Sequence, residues 1–536
     1  MSQPLTREKT KRQSLTLDET GILIFIAAII FGSWFRLFPV YLAGFPINDG
    51  GLFYRMTETL MENRFYLPEF VQYNGLNIPF SYPPLGFYLA GFISALFGIN
   101  LIQVFLYLPA IMLILALFAF FALANTLLES KLQAGLATLI FALLPRSITW
   151  LVMGGGVTRS PGQLFLILAV LYIYQLFSLG TKKYLLLSIL FSSLVCLSHP
   201  EAALHTVGFA LVLWVLKGRN KKGTLSSLGV AGGTLLLTSI WWLPTIVRFG
   251  IAPFVSAAQT GLHSANALVY FLISFSEEPF LTIIAVLAIL GFAVKLVRRE
   301  WLLPLWYVLP FFIEPRNAPN VSAIPMAMLA SSALYDLIFP ALAQIESQIR
   351  KIEFQKNFQS RIEKGMFIYL ALCMLTGMYY YDLTIADRKV SSENQAAFEW
   401  VAANTPSDSK FIVVTGNTDL FADWTLEWFP VLTDRVSLTT IQGREWLDSE
   451  LFLEHVKNIQ LTQHCISNNS PLKCLETQAM MFDSGYDYIY IAKKTARENY
   501  DSTVRGDSLI LDLSEAKEQY LEVYQSDEVR IYRHLP

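Results

Sequence analysis

The sequence predicts an all-α polytopic membrane domain of about eleven transmembrane helices, its long first external loop carrying an interfacial helix, followed by a C-terminal soluble α/β domain. Three observations predict it. Hydrophobic residues fill 54% of the 536 positions and charged residues only 15%, against roughly 25% charged in soluble globular chains. From Gly21 to about Leu383 the apolar residues come in runs of about 15 to 25, long enough to cross a hydrocarbon core of about 30 Å. After Asp382 the texture changes to short strand-like and helix-like segments of ordinary charge density.

The elements follow in order. Residues 1–20 form a polar tail with Arg7, Lys9, Lys11 and Arg12, and the run after it lacks a small-residue cleavage site. That combination predicts an uncleaved first span rather than a signal peptide. The expected spans are about 21–42, 101–127, 132–148, 161–179, 184–198, 201–216, 224–243, 279–297, 301–313, 320–342 and 365–383. This alternation places Lys131, Lys182, Lys183, Lys217, Arg219, Lys221, Lys222, Lys295, Arg298, Arg299 and the basic stretch Arg350–Lys364 on the cytoplasmic side. Only Arg146, Arg159, Arg248 and Arg316 fall on the other side. Making Pro83–Ile99 a full span would invert that ratio and break the positive-inside rule. The segment is therefore read as an interfacial or re-entrant helix. The expected protein sits in the plasma membrane, with residues 1–20 cytoplasmic, 21–383 transmembrane and 384–536 extracytoplasmic. Within the last part FIVVTG (411–416), YDYIYIA (486–492) and EVRIYRH (528–534) read as strands, and 396–405 as a helix.

Composition also excludes functions. With 40 Lys and Arg against 42 Asp and Glu, the net charge is −2, so no basic field points to nucleic acid. Four cysteines without CxxC spacing exclude a zinc ribbon. Cys465 and Cys474 flank a short polar loop; on an external domain they either form a disulfide or stay as two thiols.

The polar residues gather at the external ends of the spans. Arg36 lies in an apolar run near such an end, where snorkelling would account for it. Asp49 follows the first span and is either the N-cap of the next helix or a functional carboxylate. The loop at 144–163 holds Arg146, the run Gly154–Gly156 and Arg159; glycines admit close backbone approach, and guanidinium groups fork onto phosphate. His199 and Glu201, beside Pro200, suit proton transfer or metal ligation as well as a plain polar turn. Glu277, Glu278, Glu314 and Arg316 add charges in two later loops. Asp423, Trp424, Glu427 and Trp428 offer aromatic faces for sugar or ordinary core packing.

These residues together resemble a known family. NDGGLFYRMTETLMENRFY, then FSYPPLGFYLAGFISALFG, then LATLIFALLPRSITWLVMGG and FSEEP, are similar to the C-type glycosyltransferases, which use polyprenyl-phosphate-linked sugars. The likeness is to the oligosaccharyltransferase catalytic subunit and its bacterial and archaeal relatives, in layout over about residues 20–320. The resemblance implies an integral-membrane glycosyltransferase, hexosyl or pentosyl, working on a glycan, lipid or protein acceptor. It implies Asp49, His199 and Glu201 as catalytic residues, and Arg146, Arg159, Glu277 and Arg316 as substrate-binding residues. A divalent cation, magnesium or manganese, held by Asp49 with Glu201 is one option; a metal-free reaction is the other. The pattern also departs from the family. Gly50 and Gly51 follow Asp49, no acid stands between Arg146 and Pro161, and no WWDYG-type motif is present. Residues 421–435 and QGREW (442–446) occupy that motif's place. These departures favour monosaccharide transfer over transfer to Asn sequons. The alternative is a lipid or polysaccharide transporter, or a non-catalytic envelope-glycan assembly protein. A transporter would carry charged or broken helices near the midplane.

Overall fold

The structure is a computed structural model describing residues 15–260, 282–315, 317–351, 358, 360–482, 485–493 and 506–535. The first helix, α1 (Leu17–Ala43), starts in a capping box in which Thr16 accepts from the Glu19 amide and Glu19 reaches back to Thr16. It stops at Gly44, whose φ of 65° no helix continues. A long excursion follows: α2 (Gly51–Glu62), the hairpin β1 (Phe70–Tyr73) and β2 (Leu76–Pro79), and α3 (Leu85–Phe97). The hairpin turns on Asn74 and Gly75, both at positive φ, as a tight two-residue turn requires. With 13 residues, α3 spans about 20 Å, too short for a hydrocarbon core of about 30 Å. Phe92, Leu96 and Phe97 on it are exposed.

The bundle continues with α4 (Leu101–Leu128), α5 (Lys131–Ala142), α6 (Gly156–Leu179), α7 (Lys182–Ser198), α8 (Pro200–Leu213), α9 (Lys221–Phe249) and the short α10 (Ala252–Thr260). Next come α11 (Thr282–Val297), α12 (Leu302–Val308), α13 (Pro310–Ile313), α14 (Ala318–Ala333), α15 (Phe339–Arg350) and α16 (Arg361–Ala386). Among the described residues seven helices are long and apolar enough to cross a membrane, α14 and α15 being joined by a π-turn into one of them. The expected spans at 132–148, 184–198, 279–297 and 301–313 coincide with shorter helices. The core runs through α1, α4, α5, α6 and α14, where Phe120, Phe141, Ile140 and Met328 are buried.

Arg36 does not snorkel. It is fully buried, donating from Nη1 to the Gly32 and Ala142 carbonyls at 3.1 and 2.9 Å and from Nη2 to Ser147 Oγ at 3.2 Å. It also faces the buried carboxylate of Asp382 on α16. Trp34 and Leu37 on either side of it stay exposed, while the Arg36 face of α1 is turned into the bundle, where backbone acceptors meet the guanidinium.

After α16 the chain forms a five-stranded sheet, ordered β4 (Val436–Ser437), β3 (Lys410–Val414), β5 (Tyr488–Ala492), β7 (Val529–His534), β6 (Tyr520–Gln525). Strand β3 pairs parallel with β4 and β5, and β7 antiparallel with β5 and β6. Both faces of β3 and β5 are buried, which explains their continuous apolar runs. Helices α17 (Ser392–Asn404), α18 (Trp424–Thr433) and α19 (Ser449–His464) belong to this part of the chain. It packs directly on the first loop, with Phe45 set edge-on against Trp428 at 4.9 Å between ring centroids. Cys465 and Cys474 form a disulfide.

Candidate active site

Four turns at one end of the bundle and one wall of the C-terminal part enclose a cavity of about 390 Å³. The turn after α1 contributes Asp49 and Gly50, the start of α6 contributes Arg159, the α7–α8 turn His199 and Glu201, and the α13–α14 turn Glu314 and Asn317. From the C-terminal side come Phe421, Glu427, Gln442, Glu445, Trp446 and Phe452. Tyr82, just before α3, and Trp150 complete an aromatic lining.

Asp49 is not a helix cap. The cap position of α2 is Gly50, with no side-chain cap bond. The Asp49 carboxylate instead accepts the Gly155 N–H on Oδ1 at 2.9 Å and pairs through Oδ2 with Arg159 Nη2. Arg159 is held in turn by the Trp150 carbonyl, 3.1 Å from Nη1, and lies over the Trp150 ring at 5.8 Å. The glycine run serves this loop. A side chain on Gly154 would collide with the Asp49 carbonyl, and Gly50, at φ 121°, packs so closely on Gly154 that only glycine fits. The backbone approach expected for a ligand is thus taken up by the Asp49 loop itself.

His199 caps α8, its Nδ1 accepting the Ala202 N–H at 3.4 Å. An accepting Nδ1 assigns the proton of the neutral ring to Nε2. Gly162 on α6 leaves room for the His199 ring, since a Cβ there would lie 2.9 Å from the His199 Cβ. Glu201, one step into α8, is half-buried. The Glu314 carboxylate accepts the Asn317 N–H at 2.7 Å.

Glu427 enters from the C-terminal part. Its Oε1 accepts the Gly50 N–H at 2.8 Å and its Oε2 the Gln442 amide at 3.2 Å. Burial, then the neighbouring Asp49 charge, push this carboxyl up to about 8. Burial also pushes the Tyr82 hydroxyl above its ordinary range. The short stretch singled out for aromatic faces divides its labour: Trp428 is core, its Nε1 donating to the Asn48 carbonyl at 3.0 Å. Asp423 caps α18 by accepting the Leu426 N–H. Trp446, within QGREW, supplies the wall of the cavity. Sequence reasoning missed the roles of Glu427, Trp446 and Tyr82 because their proximity to Asp49 spans tens to hundreds of residues.

Of the expected site residues, Asp49, Arg159, His199 and Glu201 meet in this cavity. Arg146 does not line it: it is buried in the 3₁₀ turn Pro145–Ser147 beneath the loop. Glu277 and Arg316 lie outside the described residues. The two carboxylates expected to hold a cation, Asp49 and Glu201, both line the cavity. Each Asp49 oxygen accepts one N–H donor, from Gly155 and from Arg159.

A family model described as "6-pyruvoyl-tetrahydropterin synthase related domain; membrane protein" matches residues 80–330. No curated protein matches the sequence. Among solved structures, ArnT from Cupriavidus metallidurans in the apo state is similar over 96% of this chain and 98% of its own, at 12% identity and a TM-score of 0.57. The same protein bound to undecaprenyl phosphate gives 12% identity and a TM-score of 0.52, with the same coverage. The arabinofuranosyltransferase AftD from Mycobacteria gives 14% identity and a TM-score of 0.50, over 98% of this chain and 40% of that one. The chain therefore shares the fold of ArnT and AftD, and its long apolar helices fit the membrane protein that the matching family model describes.

Proposed function

We propose that this protein is an integral-membrane glycosyltransferase that moves a sugar from a polyprenyl-phosphate carrier to an acceptor outside the cytoplasm, with Asp49 as the catalytic carboxylate. The observation that carries the reading is the convergence of Asp49, Arg159, His199 and Glu201 on one aromatic-lined cavity at a single end of the bundle. The shared fold, and the undecaprenyl phosphate bound in one relative, support the choice of carrier. In this reading the protein lies in the plasma membrane, its N-terminus cytoplasmic and its C-terminal part outside.

The chemistry is a displacement at the anomeric carbon. The acceptor hydroxyl gives its proton to Asp49 as its oxygen bonds to that carbon, and the bond to the lipid phosphate breaks. Arg159 fixes the carboxylate and adds positive charge where negative charge accumulates. His199 and Glu201 border the same cavity. Arg316 and Glu277 keep their expected part in substrate binding. The residues around Asp49 suit a reaction without a bound metal. Tyr82, Trp446 and Trp150 present faces to the C–H surfaces of a sugar ring.

The test uses the purified full chain in detergent with lipid-linked sugars and acceptors extracted from its own host. Release of polyprenyl phosphate is followed by mass spectrometry for the wild type and Asp49→Asn. Loss of release in the variant supports the reading, and equal release removes Asp49 from the mechanism. Lipid binding without turnover by the wild type would favour a transporter or assembly protein instead.

A further inference from the structure

Asp49 sits between two grips, and only one of them belongs to the membrane bundle. Its side chain is held by Gly155 and Arg159. Its flanking backbone is held by α18. Glu427 Oε1 accepts the Gly50 N–H at 2.8 Å, and Trp428 Nε1 donates to the Asn48 carbonyl at 3.0 Å. Gly51 lies so close that a Cβ on it would be 2.6 Å from the Glu427 carbonyl oxygen. Tyr73, from the hairpin of the first loop, donates to that same carbonyl at 2.9 Å. The residues immediately before and after Asp49 are thus each tied to the 427–428 pair, more than 370 positions away in the chain.

We propose that Glu427 is the positioning residue of the Asp49 carboxylate, and that the C-terminal part completes the active site by docking it there. The second oxygen of Glu427 accepts Gln442, in the segment that carries Glu445 and Trp446 into the cavity. One carboxyl therefore joins the Asp49 loop, α18 and the aromatic wall. Its docking surface is reinforced away from the cavity. Asn74 and Ser437 exchange two hydrogen bonds, at 2.9 and 2.7 Å, and Arg55 pairs with Asp434 at 3.0 Å. The role of Glu427 is to accept an N–H, which an amide oxygen does equally well; a methyl group does not. Without the acceptor, the Gly50 amide is buried unpaired and its loop is released.

This inference rests on reading Asp49 as the catalytic carboxylate, so its test includes a measurement that needs no turnover. Glu427→Ala, Glu427→Gln and Trp428→Phe are made in the full chain. Two things are measured: kcat and KM for the host lipid-linked sugar, and amide hydrogen exchange over residues 47–53. In Glu427→Ala, kcat falls about 10- to 100-fold with KM changed less than about threefold, and exchange over 47–53 accelerates. Glu427→Gln restores both, and Trp428→Phe, which keeps the packing, shifts both in the direction of Glu427→Ala by a smaller factor. Wild-type kcat and exchange in Glu427→Ala overturn the proposal. So does a Glu427→Gln enzyme as slow as Glu427→Ala with protected amides, because the acidic proton and not the placement would then matter. Altered exchange in variants of a chain that transfers no sugar upholds the docking and refutes the transferase reading alone. An active wild type with unaltered exchange in every variant refutes the positioning role alone.

Discussion

Replacing Gly155 with alanine should separate catalysis from folding in this protein. Gly155 has φ −65° and ψ −10°, an ordinary helical conformation that alanine shares. Removing a glycine there stabilises by about 0.4–1 kcal/mol through the unfolded chain. The new Cβ, however, would stand 2.6 Å from Asp49 Oδ2 and 2.9 and 3.0 Å from the Arg159 Nη atoms, where ordinary contact begins at 3.4 Å. The carboxylate must therefore retreat by about 0.8 Å, and the guanidinium by less. Both are the ends of flexible side chains, so the fold adapts at little cost while the Asp49 carboxylate moves. A displacement near 1 Å costs about 100-fold in rate, which sets the expectation at about 10- to 100-fold in kcat, or about 1.4–2.7 kcal/mol of barrier. The assay is initial-rate release of polyprenyl phosphate at saturating lipid-linked sugar, paired with a thermal midpoint in the same detergent. A Gly155→Ala protein with undiminished kcat would refute the argument that the Asp49–Arg159 pair must stand where it does. A fall in kcat accompanied by a lowered midpoint would refute the claim that the fold absorbs the methyl group.

Other outcomes follow from the same geometry. Glu427 is raised to about 8 and Asp423 to about 6, both chiefly by burial. Their protonated forms are favoured in the folded state. Stability therefore declines as pH rises from about 4 to about 6 for Asp423 and from about 4.5 to about 8 for Glu427, and is flat in each term beyond those values. The thermal midpoint of Glu427→Gln should gain on the wild type across pH 5 to 8 and run parallel above it; a constant difference would contradict the shift. Replacing Cys465 and Cys474 with serine opens a loop of 9 residues' separation, with an expected loss of about 2–3 kcal/mol read from the unfolding transition of the C-terminal part. Thiol labelling of the native wild type should modify neither cysteine. Arg36→Ala leaves the buried Ala142 carbonyl and Ser147 hydroxyl without their guanidinium donor, with an expected cost of about 1–3 kcal/mol seen as a lower yield of monodisperse protein.

What the sequence determined by itself was whatever depends on local composition. Runs long enough to cross a bilayer, the bias of Lys and Arg between loops, and the short helix at 85–97 are written in consecutive residues. So are the strands at 410–414 and 488–492, buried on both faces and therefore uniformly apolar. The resemblance centred on Asp49 led to a fold that the solved structures share. Asp49, Arg159, His199 and Glu201 could be singled out because they fall in loops and turns on one side of the predicted spans, and the structure places all four on one cavity. The tertiary structure decided the rest. It alone distinguished Arg159, which reaches the cavity, from Arg146, which is buried below it. It showed that Gly154–Gly156 receive the Asp49 loop, and that Arg36 turns inward to backbone acceptors instead of outward to solvent. It brought Glu427 to Gly50 and Trp446 to Tyr82. Those contacts are fixed by how whole layers dock, and a hydrogen bond across 377 positions leaves no periodicity or spacing in the chain from which it can be read.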